Sequence, residues 1–291
     1  MEILKKDIDI YYRIWDDVTE KRAVLQIFHG MVEHINRYDD FAKFLNKNGV
    51  IVVGMDARGH GKTGENSHLG YFSNSDGWNK VIEDQRDLLK LMKEKYPKSS
   101  YFLLGHSMGS FFARDYINRY PDDFDFAIIM ATGNATDPNY KLARLMLKFF
   151  NPLKPAKLMN SMAFGSYNKP IENPSTEFDW LSKDDLQVKK YIDDPLCGFL
   201  VKNSFYKDFM NGMKSVEEKE KQAKFSKPVL FVAGQEDPVG GMGKYVEAAD
   251  DNYEDKKLIL YPNMRHEILN ELDNKKVYHD ILTWINEQIT A

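Results

Sequence analysis

Tyr101-Phe102-Leu103-Leu104-Gly105-His106-Ser107-Met108-Gly109-Ser110 is the stretch whose reading decides the fold. It opens on an apolar run, passes through G-x-S-x-G, and continues over residues 110–119 as a helical segment that ends near Pro121. A serine between two glycines at a strand-to-helix junction marks a nucleophile elbow, where the side chain stands exposed on a sharp, strained turn. The flanking glycines matter because a Cβ at either position would run into the neighbouring strand and helix. Five-residue matches do arise by chance, and the plainer reading is a glycine-bounded turn with an idle serine. The strand before and the helix after favour Ser107 as a nucleophile.

Outward from the elbow, apolar runs at residues 23–28, 50–54, 126–130, 229–233 and 258–261 have the continuous hydrophobic character of strands covered on both faces. Helical patterns at 38–47, 78–96 and 276–288 alternate with them. That alternation predicts an α/β fold, a mostly parallel sheet with helices on both faces. Residues 1–15 alternate less cleanly and suit antiparallel edge strands. Between residues 133 and 224 no comparable strand pattern is visible; prolines, Asn/Ser clusters and short helical patterns stand instead. We therefore expect a core of residues 1–132 and 225–291, interrupted by a helical cap at 133–224. Within the cap, Leu142, Leu145, Met146, Phe149 and Phe150 fall at helical spacing. They are expected to pack the cap, with Leu142, Leu145, Met146 and Phe149 also candidates to line an acyl-binding channel.

The composition narrows the function classes. A formal net charge of -4 gives no electrostatic footprint for nucleic acid, and the lysines are interleaved with acids as on a solvated surface. With one cysteine, Cys197, no internal disulfide can form and a zinc cluster is not expected. The N-terminal residues are charged, without the apolar stretch of a signal peptide, and no run reaches the length of a membrane span. A cytoplasmic location is the expectation, with transient contact at a membrane surface left open and the oligomeric state unread.

A serine hydroxyl needs a base to take its proton. Of the seven histidines, His266 lies just past the last strand, at the carboxyl end where sites form in open α/β sheets. His279 falls inside the final helix, and His106, next to the serine in a tight turn, should point away from it. The acid that orients the base should follow a different strand, and Gly234-Gln235-Glu236-Asp237-Pro238 supplies it. Spacing alone allows Glu236 or Asp237; Asp237 is preferred. An acid there fixes the imidazole tautomer and stabilises the imidazolium without taking the proton. The order Ser, Asp, His differs from that of both chymotrypsin and subtilisin. The oxyanion of an acyl-transfer intermediate needs backbone donors, and the N–H groups of Met108 and Met31 are the candidates.

Together, His29-Gly30-Met31-Val32-Glu33-His34 with Arg37-Tyr38, Asp56-Ala57-Arg58-Gly59-His60-Gly61, the elbow, Gly234-Gln235-Glu236-Asp237-Pro238-Val239 and Arg265-His266-Glu267 resemble the monoacylglycerol lipase and lysophospholipase family of α/β-hydrolases. The resemblance spans nearly the whole chain. It implies a hydrolase core, a helical cap inserted after the sixth strand, and a lipid-ester substrate such as a monoacylglycerol or lysophospholipid. One departure bears on substrate choice. Monoacylglycerol lipases carry a reactive cysteine in the loop just after the acid, where this chain has Val239-Gly240-Gly241.

Other patterns lead elsewhere and are set aside. Gly59-His60-Gly61-Lys62-Thr63-Gly64 matches a dinucleotide-binding pattern, but the next helix starts only near Trp78, and a phosphate loop would need glycine at Asp56. His266-Glu267 begins like H-E-x-x-H, yet position 270 is asparagine, so no metal and no cofactor are expected. Cys197 has no histidine nearby in sequence and reads as a buried structural thiol. The expectation is a serine hydrolase working through an acyl-enzyme on a small lipid ester. A broad carboxylesterase, or a peptidase or acyltransferase on the same fold, is the enzymatic alternative. A receptor that keeps a silent hydrolase pocket is the non-enzymatic one.

Overall fold

The computed structural model describes residues 1–134, 138–222 and 225–290. Its centre is an eight-stranded sheet in the order β1-β2-β4-β3-β5-β6-β7-β8. The N-terminal β1 (Glu2–Lys5) and β2 (Asp9–Trp15) run antiparallel to each other, and β2 runs antiparallel to β4. The rest is parallel: β3 (Ala23–Phe28), β4 (Val50–Met55), β5 (Ser100–His106), β6 (Phe126–Met130), β7 (Val229–Gly234) and β8 (Lys256–Tyr261). The expected edge strands and the apolar runs are thus in the sheet, several of them one or two residues longer than hydrophobicity alone suggests.

Successive strand residues face opposite sides. Val24 and Leu103 pack with α3 (Gly77–Lys95) and α4 (Met108–Arg119), through Ile82, Leu89, Phe112 and Tyr116. Leu25 and Phe102 face the other layer, formed by α1 (Asp39–Asn46) and α10 (Asn274–Thr290), through Phe41, Leu45, Ile281 and Trp284. Each such aliphatic or aromatic side chain contributes about 1.5–3 kcal/mol by leaving water. Burial on both faces is why these strands read as unbroken apolar runs.

Between β6 and β7 the described residues contain no strand, only isolated bridges from Pro155 to Lys202 and from Phe225 to Tyr253. Helices α5 (Pro138–Leu147), α6 (Lys157–Phe164), α7 (Asp185–Asp193) and α8 (Asn203–Glu220) fill the insertion. Parts of the expected cap, residues 135–137, 223 and 224, lie outside the described residues. Helix α8 packs against α4 and α3, close enough that a Cβ on Gly212 would fall 2.0 Å from the Trp78 ring. Its last turn carries Glu220, which pairs with buried Arg114 at 2.6 and 2.8 Å and accepts from Tyr253 Oη at 2.9 Å. Losing one partner of such a buried pair typically costs about 3–5 kcal/mol, so this contact anchors the return of the insertion to the core. Among the described residues no helix is long and apolar enough to cross a membrane.

The apolar stripe of α5 and the turn after it departs from the expectation. Leu142, Leu145 and Phe149 are 55%, 52% and 82% exposed, while Ala143 and Leu147 are the buried residues. Met146 is half-buried against the core. The helical periodicity is present, but the helix turns its small residue inward and much of its apolar stripe outward.

Candidate active site

Ser107 sits at the end of β5 with φ 52° and ψ −118°, a left-handed backbone that a non-glycine residue adopts only under local constraint. The constraint is visible. Ser107 N–H donates to Met130 O at 3.0 Å, and Ser107 O accepts from Ser110 N at 3.0 Å and Ser110 Oγ at 2.5 Å. A Cβ on Gly109 would lie 1.9 Å from Phe28 O, and one on Gly105 2.4 Å from Gly109 O. Both glycines are therefore demanded by close backbone approach.

His266 follows β8 and is buried. Its Nε2 is 2.8 Å from Ser107 Oγ, and its Nδ1 donates to both carboxylate oxygens of Asp237 at 3.0 Å. Asp237, fully buried in the turn after β7, also accepts from Val239 N at 2.8 Å. Glu236 turns away and pairs with Lys183 Nζ at 2.8 Å. Of the two acids that spacing allowed, only Asp237 meets the histidine. The histidine loop is held from the side of the insertion by the 3-10 turn Asp179–Leu181: Glu267 N–H donates to Leu181 O at 2.7 Å, and the Trp180 ring lies 5.3 Å from the His266 ring.

Met31 and Met108 both border the chamber beside Ser107. Met108 opens α4, so its N–H belongs to the first turn and lacks an intrahelical acceptor. Among the described hydrogen bonds, the N–H of neither residue donates to a protein group. The preceding Gly30 N–H is taken by Glu33 Oε1 at 2.6 Å. That leaves Met31 as the next free donor of the loop.

A buried ionic network lies behind these groups. Glu33 Oε1 also accepts from Tyr38 Oη at 3.0 Å and faces His106 Nδ1 at 3.2 Å. Arg37 bridges Glu33 at 2.8 Å and Glu267 at 2.5 and 2.7 Å. Burial would raise the Glu33 carboxyl, but the His106 hydrogen bond and the Arg37 charge overcome it and hold it well below the usual carboxylate range. For His106, burial works toward the neutral form, yet Glu33 prevails and raises it. His106 thus points away from Ser107 into this network. Glu33, Arg37 and Glu267 were visible in sequence only as parts of quoted motifs; their meeting, across 230 positions, has no sequence signal.

The glycine-rich stretch 59–64 runs into a short helix at Gly61–Glu65, earlier than the helix expected near Trp78, and has a structural task. Asp56 accepts from Ile35 N at 2.9 Å and Lys62 N at 2.7 Å, and a Cβ on Gly61 would strike its carboxylate. Its acid shapes two loops, which explains why no glycine stands there.

Above Ser107 lies a chamber of about 560 Å³. Its described walls include Phe111, Met159, Phe164, Trp180, Phe209 and Met213. Leu142, Leu145, Met146 and Phe149 are not on these walls; α5 contributes Ala143 instead. The channel-lining expectation for those four residues is corrected accordingly: α5 turns Leu142 and Leu145 outward, Met146 packs on the core, and Phe149 stands exposed just beyond the helix.

A doubly covered, mostly parallel sheet with a serine elbow after β5, an acid after β7 and a histidine after β8 defines the α/β-hydrolase fold. A family model described as serine aminopeptidase, S33 (Hydrolase_4) matches residues 19–273, and the chain belongs to that family. It is 28% identical to the monoacylglycerol lipase of Mycolicibacterium smegmatis, over 96% of this chain and 93% of that protein. It is 27% identical to the monoglyceride lipase of Rattus norvegicus, over 97% of this chain and 88% of the relative. Among solved structures, a thermostable carboxyl esterase from Bacillus coagulans in complex with glycerol superposes with a TM-score of 0.92 at 28% identity, covering 99% and 97% of the two chains.

Proposed function

We propose that the protein is a serine ester hydrolase that cleaves monoacylglycerols through an acyl-enzyme on Ser107. The observation that carries this reading is the Ser107–His266–Asp237 relay opening into a chamber whose described walls are neutral. Ser107 Oγ attacks the ester carbonyl while His266 Nε2 takes its proton. Asp237 keeps the imidazole oriented and stabilises its charged form. The N–H groups of Met31 and Met108 hold the oxyanion. His266 then returns the proton to the departing glycerol, and a water activated by the same imidazole frees the fatty acid.

Phe111, Phe164, Phe209 and the methionines suit an acyl chain, and Ser166 and Tyr245 offer hydroxyl groups to an uncharged alcohol. An aminopeptidase substrate would bring an ammonium group, and a lysophospholipid a phosphate. Neutral walls favour the monoacylglycerol over both. The likeness to monoacylglycerol lipases and to an esterase that holds glycerol supports the same choice.

The outward Leu142, Leu145 and Phe149, with Arg144 and Lys148 in the same segment, fit transient contact with a lipid surface from which such a substrate would be drawn. Cys197, the single cysteine, suits a reducing, cytoplasmic setting. A hydrolysis panel of monoacylglycerols, lysophospholipids, short aryl esters and aminoacyl amides tests the assignment. Monoacylglycerols should give the highest kcat/KM, and a preference for the amides would overturn the lipid-ester reading.

A further inference from the structure

A second cluster of chemically capable side chains lies outside the relay, at the seam between the oxyanion loop and the cap. His34 follows β3, whereas Asp194 and Cys197 belong to the turn after α7. The imidazole nitrogen of His34, an Asp194 carboxylate oxygen and Cys197 Sγ all lie within 4.8 Å of one another. His34 Nε2 already donates to Asp194 Oδ2 at 2.8 Å.

We propose that His34, Asp194 and Cys197 form a binding site for a zinc-type divalent cation, which would tie the cap to the oxyanion loop. The donor set is one imidazole, one carboxylate and one thiol, which suits a borderline cation and does not suit magnesium or calcium. Tetrahedral ligands at about 2.0–2.3 Å from zinc stand roughly 3.3–3.8 Å apart. Occupation therefore asks the His34–Asp194 pair to open by about half an ångström and the thiol to close by about one.

The turn that carries two of the ligands is already rigid. Asp194 Oδ1 accepts from Leu196 N at 2.8 Å, which leaves Oδ2 facing His34, and Cys197 N–H donates to Asp194 O at 2.9 Å. Gly198 N–H and Tyr191 Oη both donate to Val32 O, at 2.9 and 3.2 Å, so the turn is seated on the loop that bears Met31. Such outer contacts orient the ligands of a metal site and raise its affinity.

A groove bordered by His34, Asp193, Asp194 and Pro195 reaches two of the three ligands from solvent, while Cys197 lies buried behind them. Asp40 lines the same groove and favours a cation, and Lys190 opposes it; the charge of Asp39 is already met by Arg13 and Lys43, and that of Arg37 by Glu33 and Glu267. Burial pushes the Cys197 thiol up, so it is protonated without metal. Binding exchanges that proton for a metal–sulfur bond, with no change of oxidation state.

Cys197 is the only cysteine, which makes a spectroscopic test specific. The reduced protein is titrated with Co2+, with the thiolate-to-cobalt charge-transfer band and the thermal midpoint followed together. The expected result is a band that saturates at one equivalent, a raised midpoint, and displacement of the band by Zn2+. Cys197→Ser should abolish the band, and His34→Gln and Asp194→Asn should weaken it at equal Co2+. All three variants should keep the wild-type circular dichroism. Absence of the band overturns the proposal, as does cobalt binding without thiolate character or a band unaffected by His34→Gln and Asp194→Asn.

Discussion

The Glu33 carboxylate accepts the backbone N–H of Gly30 at 2.6 Å and so fixes the loop that presents Met31 to the serine. Through Arg37 the same carboxylate is tied to Glu267, the residue after His266. The loops that carry Met31 and His266 thus share one buried ionic network. Glu33 is a positioning residue in this arrangement.

Glu33→Gln keeps the shape and an acceptor for Gly30 but removes the charge that meets Arg37 and His106. We expect kcat to fall about 10–100-fold with little change in KM, since a misplaced donor weakens the transition state more than the bound ester. Steady-state kinetics on a monoacylglycerol, alongside circular dichroism, measure this. An unchanged kcat would show that the loop is held without the charge.

Asp237 and Glu236 are adjacent, yet only Asp237 reaches His266. Asp237→Asn should lower kcat by about 10,000-fold, because the amide favours the wrong imidazole tautomer. Glu236→Gln should stay within roughly threefold of wild type, since a surface ion pair to Lys183 contributes little. Comparable losses in the two variants would contradict the assignment.

Gly109→Ala would push a methyl group into Phe28 O, which no side-chain motion relieves. A destabilisation of about 3 kcal/mol or more is expected, measured as a lowered urea midpoint or as failure to recover folded protein. Wild-type stability in the Gly109→Ala variant would mean that the elbow is looser than the geometry indicates.

His60 is fully buried among Phe72, Phe199 and Phe205, and burial lowers its pKa to about 3. The unfolded chain titrates near 6.5, so between these values the unfolded state binds the extra proton. Stability from the neutral imidazole is complete above pH 6.5 and is lost as pH falls toward 3. Lowering pH from 7 to 5 should cost about 2 kcal/mol through this group. Urea unfolding of wild type and His60→Gln at both pH values checks it; the variant should lose correspondingly less.

Much of the fold is legible in the chain because β3, β4 and β7 are buried on both faces and carry little but apolar residues. Strand ends are less legible. β5 runs on through Gly105 and His106, residues chosen for the elbow rather than for hydrophobicity. The short helix α2 (Gly61–Glu65) reads as loop because its glycines serve close approach to Asp56 and to the Gly59 backbone. The α5 stripe misleads for a different reason. Periodicity identifies an amphipathic helix but not which side faces the protein, and Leu142, Leu145 and Phe149 face outward. Cys197 looks isolated in sequence although the fold sets it beside His34, and the meeting of Asp237 with His266 depends on the ends of separate strands.

The central claim, that Ser107 is the nucleophile activated by His266, is tested most directly by fluorophosphonate labelling followed by mass mapping of the modified peptide. Wild-type protein should take one adduct, on Ser107, while Ser107→Ala takes none and His266→Ala reacts far more slowly. Equal labelling of wild type and Ser107→Ala, or an adduct on another residue, would contradict it.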